Sequence, residues 1–437
     1  MKEALKKIAD QIPYPIGKVL GQIPMNFRLG NQYDFFSQEL KSNTSELRKK
    51  QIIQINSLTA YAQEKTKFYD AIYKDREFSV FKLNTLKEFS QFPIITKSDF
   101  QKFSLNDRSV ESLALKKSNT GGTTGQPLDF YLDKQAYARE WAHIHSIWAK
   151  LGYRYTDEKI TIRGKNIGDT YYKYNFNQNE FLINAYAPLA LNIDSCRKLI
   201  TKHDIKWIHG YPSSVFSFLR ELESIDPVLF EVLIKKVQGV FLGSEYPAPQ
   251  YRKYIENHCG LKTISWYGHS EMAVLAPERE PGSGVYYPFH SYGFTEAVPE
   301  GDTHRLIATS TYNYATPFIR YDTGDLIDPV FNDGLLESFR IKEGRNSESV
   351  IDLNGRNISL TGLIFGRHHK AFDHSEHVQV RQTSAGELEI LITAKEHRED
   401  WASLFDFSNS FFRIHYSQIS QPIRTPSGKV QLLLRPK

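Results

Sequence analysis

The apolar and polar positions of the chain follow two different periods, and each period predicts its own kind of element. Between residues 44 and 73, apolar side chains recur every three or four positions, which predicts a helix packed on a core. Residues 133–150 repeat that period and predict a second amphipathic helix. Between the two, Thr96 and Asp99 stand at capping-box spacing. This spacing predicts that a short helix begins there.

From residue 159 onward, short apolar runs alternate with helical segments. The strand-like runs are residues 159–162, 207–208, 237–242 and 263–266. Strand followed by helix, repeated several times, predicts a parallel sheet with crossover helices. Because ligands gather at the carboxyl ends of such strands, the turns after these runs are candidate walls of a binding site, with ordinary connecting turns as the alternative.

Beyond Pro277 the pattern changes to short strands and turns, at residues 284–287, 305–309 and 317–326, which predicts an antiparallel or barrel-like portion. Residues 344–358 resemble a linker followed by a hairpin that turns at Asn354 and Gly355. After it the pattern predicts helices near 361–373 and 398–410 and strands at 377–382 and 387–394.

The predicted fold class is therefore α/β. Residues 1–343 form a large N-terminal domain with mostly parallel sheets, crossover helices and a barrel-like β portion. Residues 344–437 form a small C-terminal α+β domain.

Composition narrows the function classes. With 55 basic and 50 acidic residues the net charge is only +5, so no nucleic-acid partner is indicated. No apolar run is long enough for a transmembrane segment, and the N-terminus lacks the apolar stretch of a signal peptide. Cys196 and Cys259 are far apart and fit free thiols in a reducing compartment. A cytoplasmic location is expected, while the oligomeric state stays open.

Residues 118–127 are the stretch that a purely structural role explains least well. Three glycines among four hydroxyl side chains can direct several backbone N–H groups and hydroxyls at one phosphate, although a plain turn is the alternative. The flanking residues 112–117 and 128–132 alternate like strands. A Walker A loop must carry Gly-Lys-Ser/Thr and open a helix, and neither condition is met here.

Four histidines, at positions 368, 369, 374 and 377, lie close together in the C-terminal part of the chain. No acidic or thiol ligand set accompanies them, so surface histidines are predicted rather than a metal site.

Five short motifs then occur in one order along the chain. They are Thr120 to Pro127, Tyr267-Gly268-His269-Ser270-Glu271, Tyr321-Asp322-Thr323-Gly324-Asp325, Gly344-Arg345 and Thr425-Pro426-Ser427-Gly428-Lys429. This ordered set resembles the adenylate-forming superfamily of acyl-CoA ligases, adenylation domains and luciferases. Within it, the chain is similar to the phenylacetate-CoA ligase branch and its capsular-polysaccharide-biosynthesis relatives.

The resemblance implies ATP-dependent activation of a small-molecule carboxylic acid as acyl-AMP, with release of pyrophosphate. Three stretches of the chain would bind the phosphates and frame the adenine. The predicted phosphate-binding residues are Ser118, Thr120, Gly121, Gly122, Thr123, Thr124 and Gly125. The predicted adenine-framing and neighbouring nucleotide residues are Gly243, Ser244, Glu245, Trp266, Tyr267, Gly268, His269 and Ser270.

The resemblance also assigns individual roles. Asp325 would accept the ribose hydroxyls with Arg345 beside the same sugar, and Glu271 would carry Mg²⁺. Lys429 would bridge the carboxylate and the α-phosphate, then leave when the C-terminal domain rotates about the hinge. Lys429, Glu271 and Thr123 are thus the predicted catalytic residues.

Two features depart from the family pattern. Leu128 follows Pro127 where many members carry Lys or Arg, and Ser347 stands at a hinge position that is usually Asp or Lys. The acyl acceptor stays open between CoA and an amine or hydroxyl of a sugar. A non-catalytic homologue that binds nucleotide or scaffolds a polysaccharide-biosynthesis complex is the alternative hypothesis.

Overall fold

Two compact units make up the chain, as seen in a computed structural model. The first contains described residues within Met1–Pro24, Trp148–Ser265 and Glu348–Lys437, and the second those within Met25–Ile147 and Trp266–Ser347. The structure describes residues 12–119, 128–163, 167, 170–185, 187–245, 247, 249–343, 349–355, 357–364, 369–407, 412–425 and 430–434.

The helices are, in chain order, α1 Tyr14–Leu20, α2 Met25–Leu29, α3 Gln32–Glu39, α4 Thr44–Lys65, α5 Lys67–Asp75, α6 Lys97–Gln101, α7 Ala136–Ala149, α8 Ile193–Lys202, α9 Pro212–Ile225, α10 Pro227–Lys236, α11 Pro249–Lys253, α12 Leu360–Ile364 and α13 Trp401–Leu404. In the part of the chain that the structure describes, every helix falls short of the length and apolarity that a membrane crossing requires.

The strands are β1 Ala114–Asn119, β2 Asp129–Asp133, β3 Glu158–Arg163, β4 Tyr172–Asn175, β5 Glu180–Asn184, β6 Ile205–Gly210, β7 Gly239–Leu242, β8 Thr263–Gly268, β9 Leu275–Pro277, β10 Phe294–Glu300, β11 Thr303–Thr309, β12 Tyr321–Asn332, β13 Leu335–Glu343, β14 Ser349–Ile351, β15 Asn357–Ser359, β16 His377–Ser384, β17 Glu387–Thr393, β18 Arg413–Gln418 and β19 Leu433–Leu434.

A parallel sheet organises the first unit. Its strands lie in the order β4-β5-β3-β6-β7-β8, and all neighbouring pairs except β4 with β5 are parallel. Helices α8 to α10 bury apolar faces against it, with Leu199, Leu219 and Leu233 fully enclosed. Strand β7, Gly239–Leu242, is apolar and buried along its whole length, as is typical of a parallel strand covered on both faces. The prediction of a parallel sheet with crossover helices is confirmed.

The C-terminal part of the first unit has a hydrophobic core of its own. Its sheet has the order β18-β17-β16-β19, and Val380, Ile390 and Trp401 are buried beside it. The hairpin predicted around Gly355 is confirmed, since β14 pairs antiparallel with β15 and Gly355 has a φ of +75°. The domain boundary at residue 344 stays a prediction.

The second unit packs α4 and α5 against an antiparallel sheet of order β10-β11-β12-β13. This sheet lies in the region for which the barrel-like portion was predicted, so the α/β fold class is confirmed. Helix α6 begins with the predicted capping box, because the Thr96 hydroxyl accepts from the Asp99 N–H and the Asp99 carboxylate accepts from the Thr96 N–H. Position 293 requires glycine, because the Cβ of any other residue would lie 2.1 Å from the carbonyl oxygen of Ala273.

Three predicted elements are wrong in extent. The strand expected at residues 284–287 is reduced to isolated bridges at Tyr286. Among the described residues, the helix expected at 361–373 is represented by α12 and a 3₁₀ turn at Lys370–Asp373, and the helix expected at 398–410 by the single turn α13. Apolar side chains of both segments are buried against the neighbouring sheet, Leu363 and Ile364 in the first and Trp401 and Phe405 in the second, so tertiary packing rather than helical period sets their backbone.

His377 joins the C-terminal sheet to the helices of the first unit. Its Nε2 lies 2.8 Å from the hydroxyl of Ser217 on α9, and its Nδ1 lies 2.9 Å from the hydroxyl of Tyr251 on α11. Burial lowers the pKa of His377 to about 3, with the positive charge of Arg424 acting in the same direction. The imidazole is therefore neutral in the folded protein at neutral pH.

We expect the thermal midpoint of the folded protein to fall as the pH is lowered from about 6.5 towards 4, in part because of His377. The unfolded chain binds a proton near pH 6.5 while the buried imidazole does not, so stability that is present above pH 6.5 is lost below it. In His377→Gln this slope should become shallower. The exposed His415→Gln is the matched control. An unchanged slope in His377→Gln would contradict the assignment.

Candidate functional site

Strand β8 carries three of the predicted nucleotide residues at its carboxyl end. Trp266, Tyr267 and Gly268 pair antiparallel with β9 in the second unit. The chain then turns sharply, since the N–H of Met272 donates to the carbonyl of His269 at 3.1 Å and Met272 has a φ of +52°. A positive φ at a non-glycine residue costs free energy, and such strain is typical of functional sites. The turn returns Glu271 to the interior.

Glu271 is a buried carboxylate with a described donor on each oxygen. The residue is 3% exposed. Its Oε2 lies 2.9 Å from Nδ1 of His269, and its Oε1 accepts from the hydroxyl of Tyr321 at 3.2 Å. Because an ionised carboxylate only accepts hydrogen bonds, Nδ1 of His269 donates. The other ring nitrogen of His269, Nε2, is buried and has no hydrogen-bond partner among the described residues.

The Asp-Thr-Gly-Asp sequence forms a bulge in strand β12. Arg305 and Ile307 of β11 are two residues apart, yet they pair with Leu326 and Asp322, which are four apart. The three residues between, Thr323 to Asp325, therefore bulge out of the ladder. Gly324 adopts a φ of +75°. A bulge of this kind redirects a side chain and often lies beside an active site.

The bulge is held by its own short polar side chains. The N–H of Gly324 donates to Oδ1 of Asp322 at 2.9 Å, and the N–H of Asp325 donates to the Thr323 hydroxyl at 3.3 Å. That hydroxyl in turn donates to the carbonyl of Leu306 at 2.8 Å. The residue types of the motif thus account for its backbone conformation.

Two tyrosines connect β12 with the end of β8 and with the segment that follows it. The hydroxyl of Tyr267 donates to Oδ2 of Asp325, while that of Tyr321 donates to Glu271 in the opposite direction. Asp325 is 7% exposed. We call these five residues, Tyr267, His269, Glu271, Tyr321 and Asp325, the carboxylate cluster. It lies entirely within the second unit.

Arg320 fixes the strand just before the cluster. Its φ is +44°, and its Nε donates to Oε2 of Glu296 at 2.9 Å. Its Nη1 donates to the carbonyls of Ser90, at 2.7 Å, and Phe92. Burial raises the pKa of Glu296, against the opposing effect of the Arg320 charge. An arginine is suited to this position because one guanidinium can donate to several acceptors at once.

Other predicted nucleotide residues lie in the first unit, at the end of β7. Gly243 is followed by Ser244, whose φ is +67°. The carboxylate of Glu245 accepts from the N–H of Ser213, in the first turn of α9, at 3.2 Å, and its other oxygen accepts from the N–H of Val430 at 3.2 Å. An acidic side chain at a helix N-terminus is favourable. Glu245 thus contacts both the first turn of α9 and the residue that follows Lys429.

The predicted phosphate loop is only partly described. Its flanks are confirmed as strands, since β1 pairs antiparallel with β2 and Asn119 pairs with Asp129. Ser118 lies on β1 and is partly exposed. The remaining predicted residues, Thr120, Gly121, Gly122, Thr123, Thr124 and Gly125, lie outside the described residues together with Arg345 and Lys429.

The surface location predicted for the C-terminal histidines is wrong for two of them. His369 and His377 are 4% and 3% exposed, because each imidazole packs against aromatic rings and hydrogen-bonds protein groups. His374 is exposed as predicted, and His368 is outside the described residues. Within the described chain, no group of three or more His, Cys, Asp or Glu side chains could hold a metal ion.

Neither Arg320 nor Tyr321 was given an individual role from the sequence. Both precede Thr-Gly-Asp in the chain. The sequence does contain a signal for Arg320. It is an arginine between Ile319 and Tyr321, within a stretch whose alternating pattern predicts a strand. Such a charge is buried only when paired, so it could have been recognised as an anchor.

Comparisons with known proteins bear on the fold. No family model matches the chain. Among curated proteins it is similar to Protein CapK of Staphylococcus aureus, with 24% identity over 277 residues that cover 60% of each chain. The match thus spans 60% of the length of that curated relative.

Among solved structures, a 2-hydroxyisobutyryl-CoA ligase in the postadenylation state, in complex with 2-HIB-AMP, aligns with a TM-score of 0.65, 16% identity and 90% of each chain covered. The GH3.15 acyl acid amido synthetase aligns with a TM-score of 0.58, 14% identity and 87% of each chain covered. At such identities the likeness concerns the fold: the chain has the fold of the adenylate-forming ligases.

We expect Arg320→Met to destabilise the protein by about 3–5 kcal/mol, because it leaves the largely buried carboxylate of Glu296, whose side chain is 13% exposed, without its cation. Chemical denaturation measures this loss. The matched control is Arg381→Met, which removes a more exposed arginine from Glu389 and should cost no more than about 1 kcal/mol. Equal losses in the two variants would contradict the anchoring role of Arg320.

Proposed function

We propose that this protein is an ATP-dependent ligase that activates a carboxylic acid as an acyl-adenylate. The observation that carries the proposal is the carboxylate cluster, in which Asp325 stands on a backbone bulge and is held by Tyr267. A carboxylate fixed in this way is a preorganised acceptor for two neighbouring hydroxyls, such as those of a ribose. The shared fold supports the same conclusion.

The proposed reaction has two steps. In the first, a carboxylate oxygen of the acid forms a bond to the α-phosphorus of ATP, and the bond from that phosphorus to the bridging oxygen breaks to release pyrophosphate. In the second, an acceptor nucleophile attacks the acyl carbon and loses a proton. AMP then leaves with an oxygen that came from the acid.

Positioning and charge neutralisation supply most of the catalysis in such a reaction, since a carboxylate must approach a polyanion. The predicted phosphate residues, Ser118 with Thr120 to Gly125, would hold the β and γ phosphates. In this proposal Asp325 and Arg345 bind the ribose. Trp266 to Ser270 and Gly243 to Glu245 frame the adenine, and Lys429 bridges the acid and the α-phosphate.

A magnesium ion fits this site only in company with the nucleotide. The described residues hold no group of three or more possible metal ligands, so Glu271 would act together with phosphate oxygens, because Mg²⁺ in nucleotide sites is usually held by one or two carboxylates plus phosphate oxygens. Both oxygens of Glu271 already accept a hydrogen bond, yet each oxygen can accept more than one. When bound, the ion would neutralise phosphate charge.

For the acceptor we propose CoA or an amine or hydroxyl of a sugar in surface-polysaccharide biosynthesis. Solved structures with this fold include both a CoA ligase and an acyl acid amido synthetase, so the fold is compatible with thiol and amine acceptors. The similarity to the capsular-polysaccharide relatives of the phenylacetate-CoA ligase branch favours a sugar. Rotation of residues 344–437 between the two steps is part of the proposal.

We expect the protein to catalyse acid-dependent exchange of labelled pyrophosphate into ATP, and Lys429→Ala to lower the exchange rate at least about 100-fold, as expected for loss of a group that acts on the transition-state charge. The assay uses a panel of aliphatic, hydroxylated and aromatic acids. Lys370→Ala, an exposed lysine of the same segment, is the matched control and should keep the rate.

Two results would contradict this proposal. Exchange at the normal rate in Lys429→Ala would remove Lys429 from the first step. Tight ATP binding without exchange on any acid would favour a non-catalytic nucleotide-binding protein.

A further inference from the structure

A cavity of about 880 Å³ lies in the first unit, and none of the predicted nucleotide residues lines it. One wall is formed by α9, α11 and the π-helical turn Tyr254–His258. The other is formed by the 3₁₀ turn Lys370–Asp373, the residues before β16 and the residues after β17. Cavities of roughly 300–1,000 Å³ are the size of small-molecule sites.

The wall carries charges of both signs, arranged as ion pairs across the cavity. Nη2 of Arg220 on α9 lies 3.4 Å from Oε1 of Glu376, and Nζ of Lys253 on α11 lies 3.5 Å from Oδ1 of Asp373. A polyanion would meet these carboxylates, and a polycation would meet the arginine and the lysine. The lining therefore favours a ligand of low net charge that both donates and accepts hydrogen bonds.

Part of the hydrogen-bonding capacity of the wall is not used by the protein. Three lining side chains have a buried polar atom without a partner among the described residues: Nε of Arg220, Oε1 of Gln250 and Oγ of Ser375. One is a donor, one an acceptor, and the hydroxyl can be either. Ser375 is 8% exposed. Unmet buried polar groups are rare in native proteins and call for a partner.

Aromatic rings add apolar surface to the same wall. Phe216 and Tyr254 meet edge to face at 5.2 Å, and the ring of His258 stacks on Tyr254 at 4.9 Å with an interplanar angle of 22°. Phe372 contributes a ring from the opposite wall. Flat rings beside a mixture of donors and acceptors match a molecule that has a C–H face and a rim of hydroxyl groups.

We propose that this cavity is a binding site for a saccharide, with the aromatic rings against one face of a pyranose and Arg220, Ser375 and Glu376 on its hydroxyl groups. The site goes beyond the proposed adenylation chemistry, because it shares no residue with the nucleotide motifs. Binding here requires neither ATP nor an acid.

Saturation-transfer NMR without ATP tests the proposal, with glucose, glucosamine and N-acetylglucosamine as ligands and CoA in a separate sample. We expect signal on the ring protons of at least one hexose. Arg220→Met keeps the side-chain stem and removes its donors, so the dissociation constant should rise roughly fivefold to tenfold, as for one or two lost hydrogen bonds. Ser375→Ala removes one hydroxyl and should weaken binding roughly threefold.

Two variants serve as controls. Arg413→Met removes an arginine on β18, and Ser403→Ala removes an exposed serine in α13; neither residue lines the cavity. Both should bind the hexose like the unmodified protein. Thermal melting verifies that each variant is folded, and Ser375→Ala stands in if Arg220→Met is not.

Three outcomes would overturn the saccharide site. They are absence of signal for all three hexoses, hexose binding that Arg220→Met and Ser375→Ala leave unchanged, and binding of CoA alone that both variants weaken. Failure of adenylation would not affect the result, because the measurement contains no ATP.

Discussion

A carboxylate inside a protein needs donors that reach its oxygens. The second unit meets this need at two carboxylates, Asp325 and Glu271. Tyr267, on β8, donates to Asp325 on β12, while Tyr321, on β12, donates to Glu271 after β8. The exchange connects the two segments in both directions. An unpaired carboxylate here would be costly, so the relative position of these segments is set by the need to satisfy both groups.

The backbone around the cluster is shaped for the same purpose. Met272 and Arg320 adopt a positive φ, which residues other than glycine rarely do. Gly324, also at a positive φ, allows the bulge that carries Asp325. Such strain persists only where the surroundings enforce it. Arg320 supplies part of that enforcement through Glu296 and the carbonyls of Ser90 and Phe92. The strained positions therefore lie beside the residues for which a nucleotide role is proposed.

The first unit combines a parallel sheet with a C-terminal sheet that has its own core. Polar contacts join them: His377 meets Ser217 and Tyr251, and Glu245 meets Val430. The cavity of about 880 Å³ lies between helices α9 and α11 and the C-terminal segment of the first unit. Its lining carries charges of both signs, unlike the carboxylate cluster of the second unit. We infer that the two regions recognise different ligands.

Much of this arrangement follows from local sequence signals. The capping box at Thr96, the hairpin at Gly355 and the strands flanking the predicted phosphate loop were predicted because each depends on residues close in the chain. The bulge at Thr323 to Asp325 was not, since alternation alone predicts a continuous strand there. The burial of His369 and His377 was not predicted either, because it depends on partners far away in sequence.

Calorimetric titration of ATP onto the protein tests the central claim, that Asp325 on its bulge binds the nucleotide. Asp328 lies on the same strand and is exposed, so Asp328→Ala is the matched control. The account predicts that Asp325→Ala weakens ATP binding at least about tenfold, as for the loss of a charged acceptor of hydrogen bonds, while Asp328→Ala binds ATP normally. Normal ATP affinity in Asp325→Ala would contradict it.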